Sequence, residues 1–117
     1  MQVTICTANC VGQAGNCSYP NKVTVVTPEQ LQEAVKKDHV CAEFKGNYRS
    51  IENFIRSDVI VMDIDNDHTE VPADWITAEK LEELFPNVEY LLAPSRHHLL
   101  DKEGKSARPR YHMYFPI

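Results

Sequence analysis

The chain has 117 residues, 43% of them hydrophobic and 25% charged, with no low-complexity run, which suits one soluble domain large enough for a core without staples. Its formal net charge of −5 argues against a generally basic nucleic-acid coat, although Arg96, Lys102, Lys105, Arg108 and Arg110 gather in one C-terminal stretch opposed only by Asp101 and Glu103. With no long apolar stretch and no signal-peptide pattern, a cytoplasmic location without a membrane partner is expected.

Taken in order, Gln2 to Thr7 alternates Val3 and Ile5 with polar neighbours and predicts a short strand. Ala8 to Asn21 holds Gly12, Gly15 and Pro20 and reads as a loop; Lys22 to Thr27 is rich in β-branched residues and reads as a second strand. Thr27 is placed as an N-cap, with Pro28 at the first helical position and Gln30 completing a capping box, for a helix that ends near Asp38 and buries Leu31, Ala34 and Val35. Val40 to Phe44 is expected to be a third strand. A helix capped by Ser50 follows, with Ile51, Phe54 and Ile55 at helical spacing, so that Lys45 and Arg49 lie near a helix N-terminus where anions are favoured.

The chain is organised around Val59-Ile60-Val61-Met62-Asp63-Ile64-Asp65-Asn66. Its apolar run predicts a strand in the middle of a sheet covered on both faces. Alternation puts Asp63 and Asp65 on one face, where two carboxylates repel unless a cation or strong donors lie between them. That pattern points to Mg²⁺ and phosphate chemistry. Asp and Asn also begin turns, which is the plainer explanation. An EF-hand is set aside, because His68 stands where its glycine is needed.

Beyond this strand, Asn66 to Trp75 reads as a loop, and Trp75 as a staple before a helix capped by Thr77, running to about Phe85 with Leu81, Leu84 and Phe85 inward. Val88 to Pro94 is expected to be a strand, Ser95 to Pro109 a flexible hairpin connection, and Arg110 to Ile117 the last strand, with Arg110, His112 and Tyr114 on one face. Cys6, Cys10 and Cys17, with Cys41 or His39 as a fourth, could ligate zinc, but the C-x₂-C pairs of strong zinc sites are missing. Reduced, small buried thiols or a Cys-rich loop are the other reading.

Several of these residues form a resemblance. Asn47-Tyr48-Arg49-Ser50 with Phe54, then Val61 to Asn66, Pro94-Ser95-Arg96, and Arg108 to Pro116 resemble, in order and spacing, the archaeo-eukaryotic primase superfamily. The match is closest to primase-polymerase domains at the N-terminus of replication proteins of bacterial phages, plasmids and integrative elements. The resemblance implies an α/β (α+β) fold with a central mixed or antiparallel sheet flanked by helices, a primase-like, RRM-like core. It divides the chain into 1–39, a strand and helix unit with the Cys-rich loop, and 40–117, the unit carrying the motifs. It implies that Asp63 and Asp65 ligate Mg²⁺ or Mn²⁺ in a two-metal site, that His112 contacts the phosphates of a nucleoside triphosphate, and that Arg110, Arg96, Ser95 and Arg49 bind nucleotide. The implied reaction is attack of a 3′-hydroxyl on an α-phosphate with release of pyrophosphate, on a single-stranded DNA template.

The family places a third carboxylate well downstream of the histidine and often a helicase-type ATPase further on, and neither occurs by Ile117. The expectation is therefore the N-terminal part of a longer protein with an incomplete site and little polymerase activity of its own. Two other functions compete: a non-catalytic nucleotide or single-strand binding module, and a haloacid-dehalogenase-like phosphatase with Asp63 as nucleophile and Asp65 as acid.

Overall fold

In the computed structural model, which describes residues 2–117, the alternation of Val3 and Ile5 forms strand β1, Val3–Thr7, with both residues fully buried. The β-branched run forms β2, Asn21–Val25, antiparallel to β1 with Val3 opposite Val25. Helix α1, Pro28–Ala34, starts at the expected capping box: Gln30 N–H donates to Thr27 Oγ1 at 3.2 Å and Thr27 N–H to Gln30 Oε1 at 3.1 Å. It stops at Ala34, short of Asp38.

The stretch expected as one strand from Val40 to Phe44 is divided. His39–Val40 is β3, on the other edge of β1, while Glu43–Phe44 is β4, which pairs only with β5, Phe54–Arg56. β5 occupies part of the stretch expected to be a helix. Ser50 precedes only a 3₁₀ turn over Ile51–Asn53, to which its side chain makes no capping bond, and Ile51, Phe54 and Ile55 are exposed, Ile51 at 94%. The reason lies upstream, where Gly46 and Asn47 take positive φ of 66° and 58° in the turn after β4, and the chain returns to pair as a ribbon. Lys45 and Arg49 therefore do not lie at a helix N-terminus.

The third sheet has the order β6 (Val59–Ile64), β8 (Tyr111–Pro116), β7 (Leu91–Pro94). β8, not the aspartate strand, is central. β6 is an edge strand, and Ile60, Val61 and Met62 are 57%, 43% and 39% exposed where burial on both faces was expected. β7 begins at Leu91, three residues later than the sequence predicts. On one face of this sheet Val59, Leu91, Ala93 and Tyr114 meet Val3, Ile5, Val25 and Leu31 in the main core. On the other, α2 (Ala78–Leu84) buries Leu81 and leads into Phe85, whose ring lies 5.5 Å from Phe115; Leu84 is exposed. Asp58 joins the first sheet to β6 by accepting from Thr4 N and Oγ1 at 2.8 and 2.7 Å.

Every strand pair among the described residues is antiparallel, in three separate sheets with two short helices. The molecule is thus a small α+β domain, and a single central sheet is not what these residues build. Among them no helix is long and apolar enough to cross a membrane.

Candidate functional site

A cleft of about 570 Å³ opens between the loop after β1, the end of α1 and the ends of β7 and β8. Its lining gathers Arg49, Ser95, Arg96 and His112 from three stretches far apart in sequence, and adds Lys36, Lys37, Asp38 and His39. The sequence places Lys36, Lys37 and Asp38 at the tail of a helix and offers His39 only as a possible zinc ligand. Because α1 ends at Ala34, Lys36 to His39 instead turn into β3 at the cleft wall. The adjacent lysines were the one available signal.

Asp38 organises the cleft mouth. Its carboxylate accepts from Gly12 N and Gln13 N, each at 2.8 Å, and from Arg96 Nη2 at 2.8 Å, which holds the loop after β1 across the opening. These two amides first, then Arg96, hold the carboxyl below its ordinary range against the effect of burial. Arg49 donates to Asn16 O at 3.5 Å and lies 5.7 Å from the centre of the Tyr19 ring. Ser95 is set by its amide, which donates to Arg110 O at 2.9 Å.

Asp63 and His112 are directly opposite in the β6 and β8 register, so their side chains share a face, with Nε2 to Oδ1 at 3.6 Å. Asp63 is not among the cleft-lining residues but stands beside them through His112. Asp65 follows the last ladder residue, and its Oδ1 accepts from Asp67 N at 2.9 Å.

Arg110 does not line the cleft. It is 1% exposed, donates from Nη1 to Asp65 O at 3.0 Å and lies 2.9 Å from Asp67 Oδ1. Its Nε and Nη2 are buried without a hydrogen-bond partner among the described residues. Arg108, fully buried beside it, spreads over Asn66 O, Thr69 O, Ser106 O, Ser106 Oγ and Glu70 Oε2 at 2.7 to 3.2 Å, with its guanidinium 5.1 Å from the Trp75 ring centre. Trp75 thus packs against a cation, and its Nε1 donates to Thr69 O at 2.9 Å. Burial would raise the Asp67 carboxyl, but Arg110, then Lys105 and Arg108, hold it below the ordinary range. Asn66 and Arg108 belong to the motifs that carry the resemblance, but the sequence assigned neither of them a site role; the Asn placed directly after Asp-x-Asp was the clue.

Mg²⁺ and Mn²⁺ are hard cations that keep several waters and are commonly bound by one or two carboxylates together with substrate phosphates. The carboxylates that could contribute to such a site are Asp63, 63% exposed at its side chain and facing His112 at the cleft edge, and Asp65, one residue past the ladder. Among the described residues no group of three or more His, Cys, Asp or Glu side chains could hold a metal ion by itself. The four cysteines are free. Cys6 is buried on β1, and burial pushes the Cys41 thiol up to about 12.

No family model, no curated protein and no solved structure matches this chain.

Proposed function

We propose that the chain binds a nucleoside triphosphate with Mg²⁺ or Mn²⁺ and belongs to the machinery of nucleotidyl transfer of the primase-polymerase type, in replication of a phage or mobile element. The observation that carries this reading is the convergence of Arg49, Arg96, Ser95 and His112 on one cleft, with Asp63 opposite His112 across the strand ladder. Guanidinium, hydroxyl and imidazole groups are the donors a polyphosphate needs. In this reading Lys36 and Lys37 add charge to the same wall, and Asp63 with Asp65 holds the cation between the protein and the phosphates. The cation would neutralise charge on the phosphates and make the attacking 3′-hydroxyl easier to deprotonate. In the full reaction the hydroxyl would lose its proton to solvent as its oxygen bonds to the α-phosphorus, and the bond from that phosphorus to the β-phosphate oxygen would break to release pyrophosphate.

Calorimetric titration of a nucleoside triphosphate with Mn²⁺ into wild type, Asp63→Ala and His112→Ala tests the proposal. Binding by wild type that both substitutions weaken supports one nucleotide and cation site. Binding that survives Asp63→Ala unchanged points to the module without catalysis, and hydrolysis of a simple phosphate ester dependent on Asp63 to the phosphatase. Absence of binding by wild type refutes the proposal.

A further inference from the structure

Asp65 lies one residue past the last ladder pair, Ile64 with Tyr111, so strand pairing does not hold it. Three buried side chains hold the backbone around it instead. Arg110 Nη1 grips the Asp65 carbonyl at 3.0 Å. Asn66, 2% exposed and at a positive φ of 58°, donates from Nδ2 to Ile76 O and Pro109 O at 2.9 and 2.8 Å and accepts from Ile76 N at 2.8 Å. Arg108 Nη1 grips the carbonyls of Asn66 and Thr69 at 2.9 and 3.1 Å. The chain of constraint continues to the carboxylate, because Asp65 Oδ1 accepts from Asp67 N while Asp67 is itself held by Arg110.

We infer that Asn66, Arg108 and Arg110 are positioning residues for the Asp65 carboxylate and set the cation affinity of the Asp63 and Asp65 pair without touching the ion. The inference rests on the cation-site reading proposed above. Two features separate it from general packing. Three of the five Arg108 contacts go to Asn66 O, Thr69 O and Glu70 Oε2, and Arg110 reaches Asp65 O and Asp67 Oδ1, all in the segment that carries the ligand; the other two Arg108 contacts go to Ser106. In addition, Asp67 and Glu70 offset the two buried cations, so the clamp does not repel a dication nearby. Arg108 addresses five acceptors from one planar fork, whereas a lysine ammonium has three N–H groups at one point. Arg108→Lys therefore keeps the charge and loses the clamp.

The test is a double-mutant cycle on the full chain, with Mn²⁺ affinity read from the free-ion electron paramagnetic resonance signal in the presence of a non-hydrolysable nucleoside triphosphate. Arg108→Lys and Asn66→Ala are each expected to weaken Mn²⁺ binding about tenfold, and to add no further loss once Asp65→Ala is present. Asn66→Gly, which tolerates the positive φ but lacks the side-chain bonds, serves if the first two fail to fold, and predicts the same loss. Circular dichroism at the assay temperature confirms which variants are folded. Unchanged affinity in folded variants, or losses that multiply with Asp65→Ala, overturns the inference while the cation site stands. A wild-type chain that takes no Mn²⁺ overturns the cation-site reading and the inference together.

Discussion

Acidification from pH 7 to pH 5 is expected to destabilise the fold through His39. The Nδ1 atom of His39 lies 3.2 Å from Lys37 O, and a carbonyl only accepts, so Nδ1 carries the ring hydrogen. The neutral ring then accepts at Nε2 from the Tyr114 hydroxyl, 3.0 Å away and fully buried. Burial is the main cause that lowers the His39 pKa below its ordinary 6.5; the nearby His112 and Arg96 act in the same direction, and the Lys37 bond and Asp38 oppose them. The unfolded chain therefore binds one more proton than the folded chain between the lowered value and about 6.5. Stability contributed by the neutral ring is complete above that window and is lost as pH falls through it, with a slope of at most about 1.4 kcal/mol per pH unit. Urea unfolding of wild type and His39→Gln, followed by Trp75 fluorescence at pH 5, 6, 7 and 8, isolates this contribution and that of the Asp38 charge coupled to it, because carboxylates remote from the ring titrate alike in both. The stability difference between the two proteins should shrink as pH falls from 7 to 5, and never faster than about 1.4 kcal/mol per pH unit. Parallel profiles would refute the reasoning.

Asp58→Ala removes both bonds that tie Thr4 to the β6 sheet and should cost about 1 to 3 kcal/mol by urea denaturation. Burial works to raise the Asp58 carboxyl, but the Thr4 bonds hold it below its ordinary range. Its stabilisation is therefore present above the unfolded value and lost as pH falls through the folded one, and the substitution should flatten the acid limb; an unchanged limb would contradict this. In iodoacetamide labelling at pH 8 read by mass spectrometry, Cys10 and Cys17, which are partly exposed, should react before Cys6 and Cys41, whose thiols burial pushes up. Early labelling of Cys41 would count against the burial argument.

Elements governed by neighbours in sequence were legible. The Thr27 and Gln30 capping box, the Thr77 cap and the strands at Val3, Val59 and Tyr111 follow from chemistry within a few residues. The stretch from Ser50 to Ile55 shows where such rules stop: Ile51, Phe54 and Ile55 satisfy helical spacing, yet the upstream turn offers Phe54–Arg56 a strand partner in Glu43–Phe44, and pairing prevails over periodicity. The apolar run at Ile60, Val61 and Met62 specified a strand but not its place in the sheet, since hydrophobicity does not say which edge is covered.

For the candidate site, the sequence by itself supplied the functional groups: the paired aspartates, the histidine two residues after an arginine, and the basic residues at Arg49 and Arg96. Only the tertiary structure decided which of them meet. It brought Arg49, Arg96 and His112 to one cleft and turned Arg108 and Arg110 inward. The physical reason is that a guanidinium leaves water only where acceptors replace it, and those acceptors, at Asp65, Asn66, Thr69 and Glu70, lie 38 to 45 residues away along the chain.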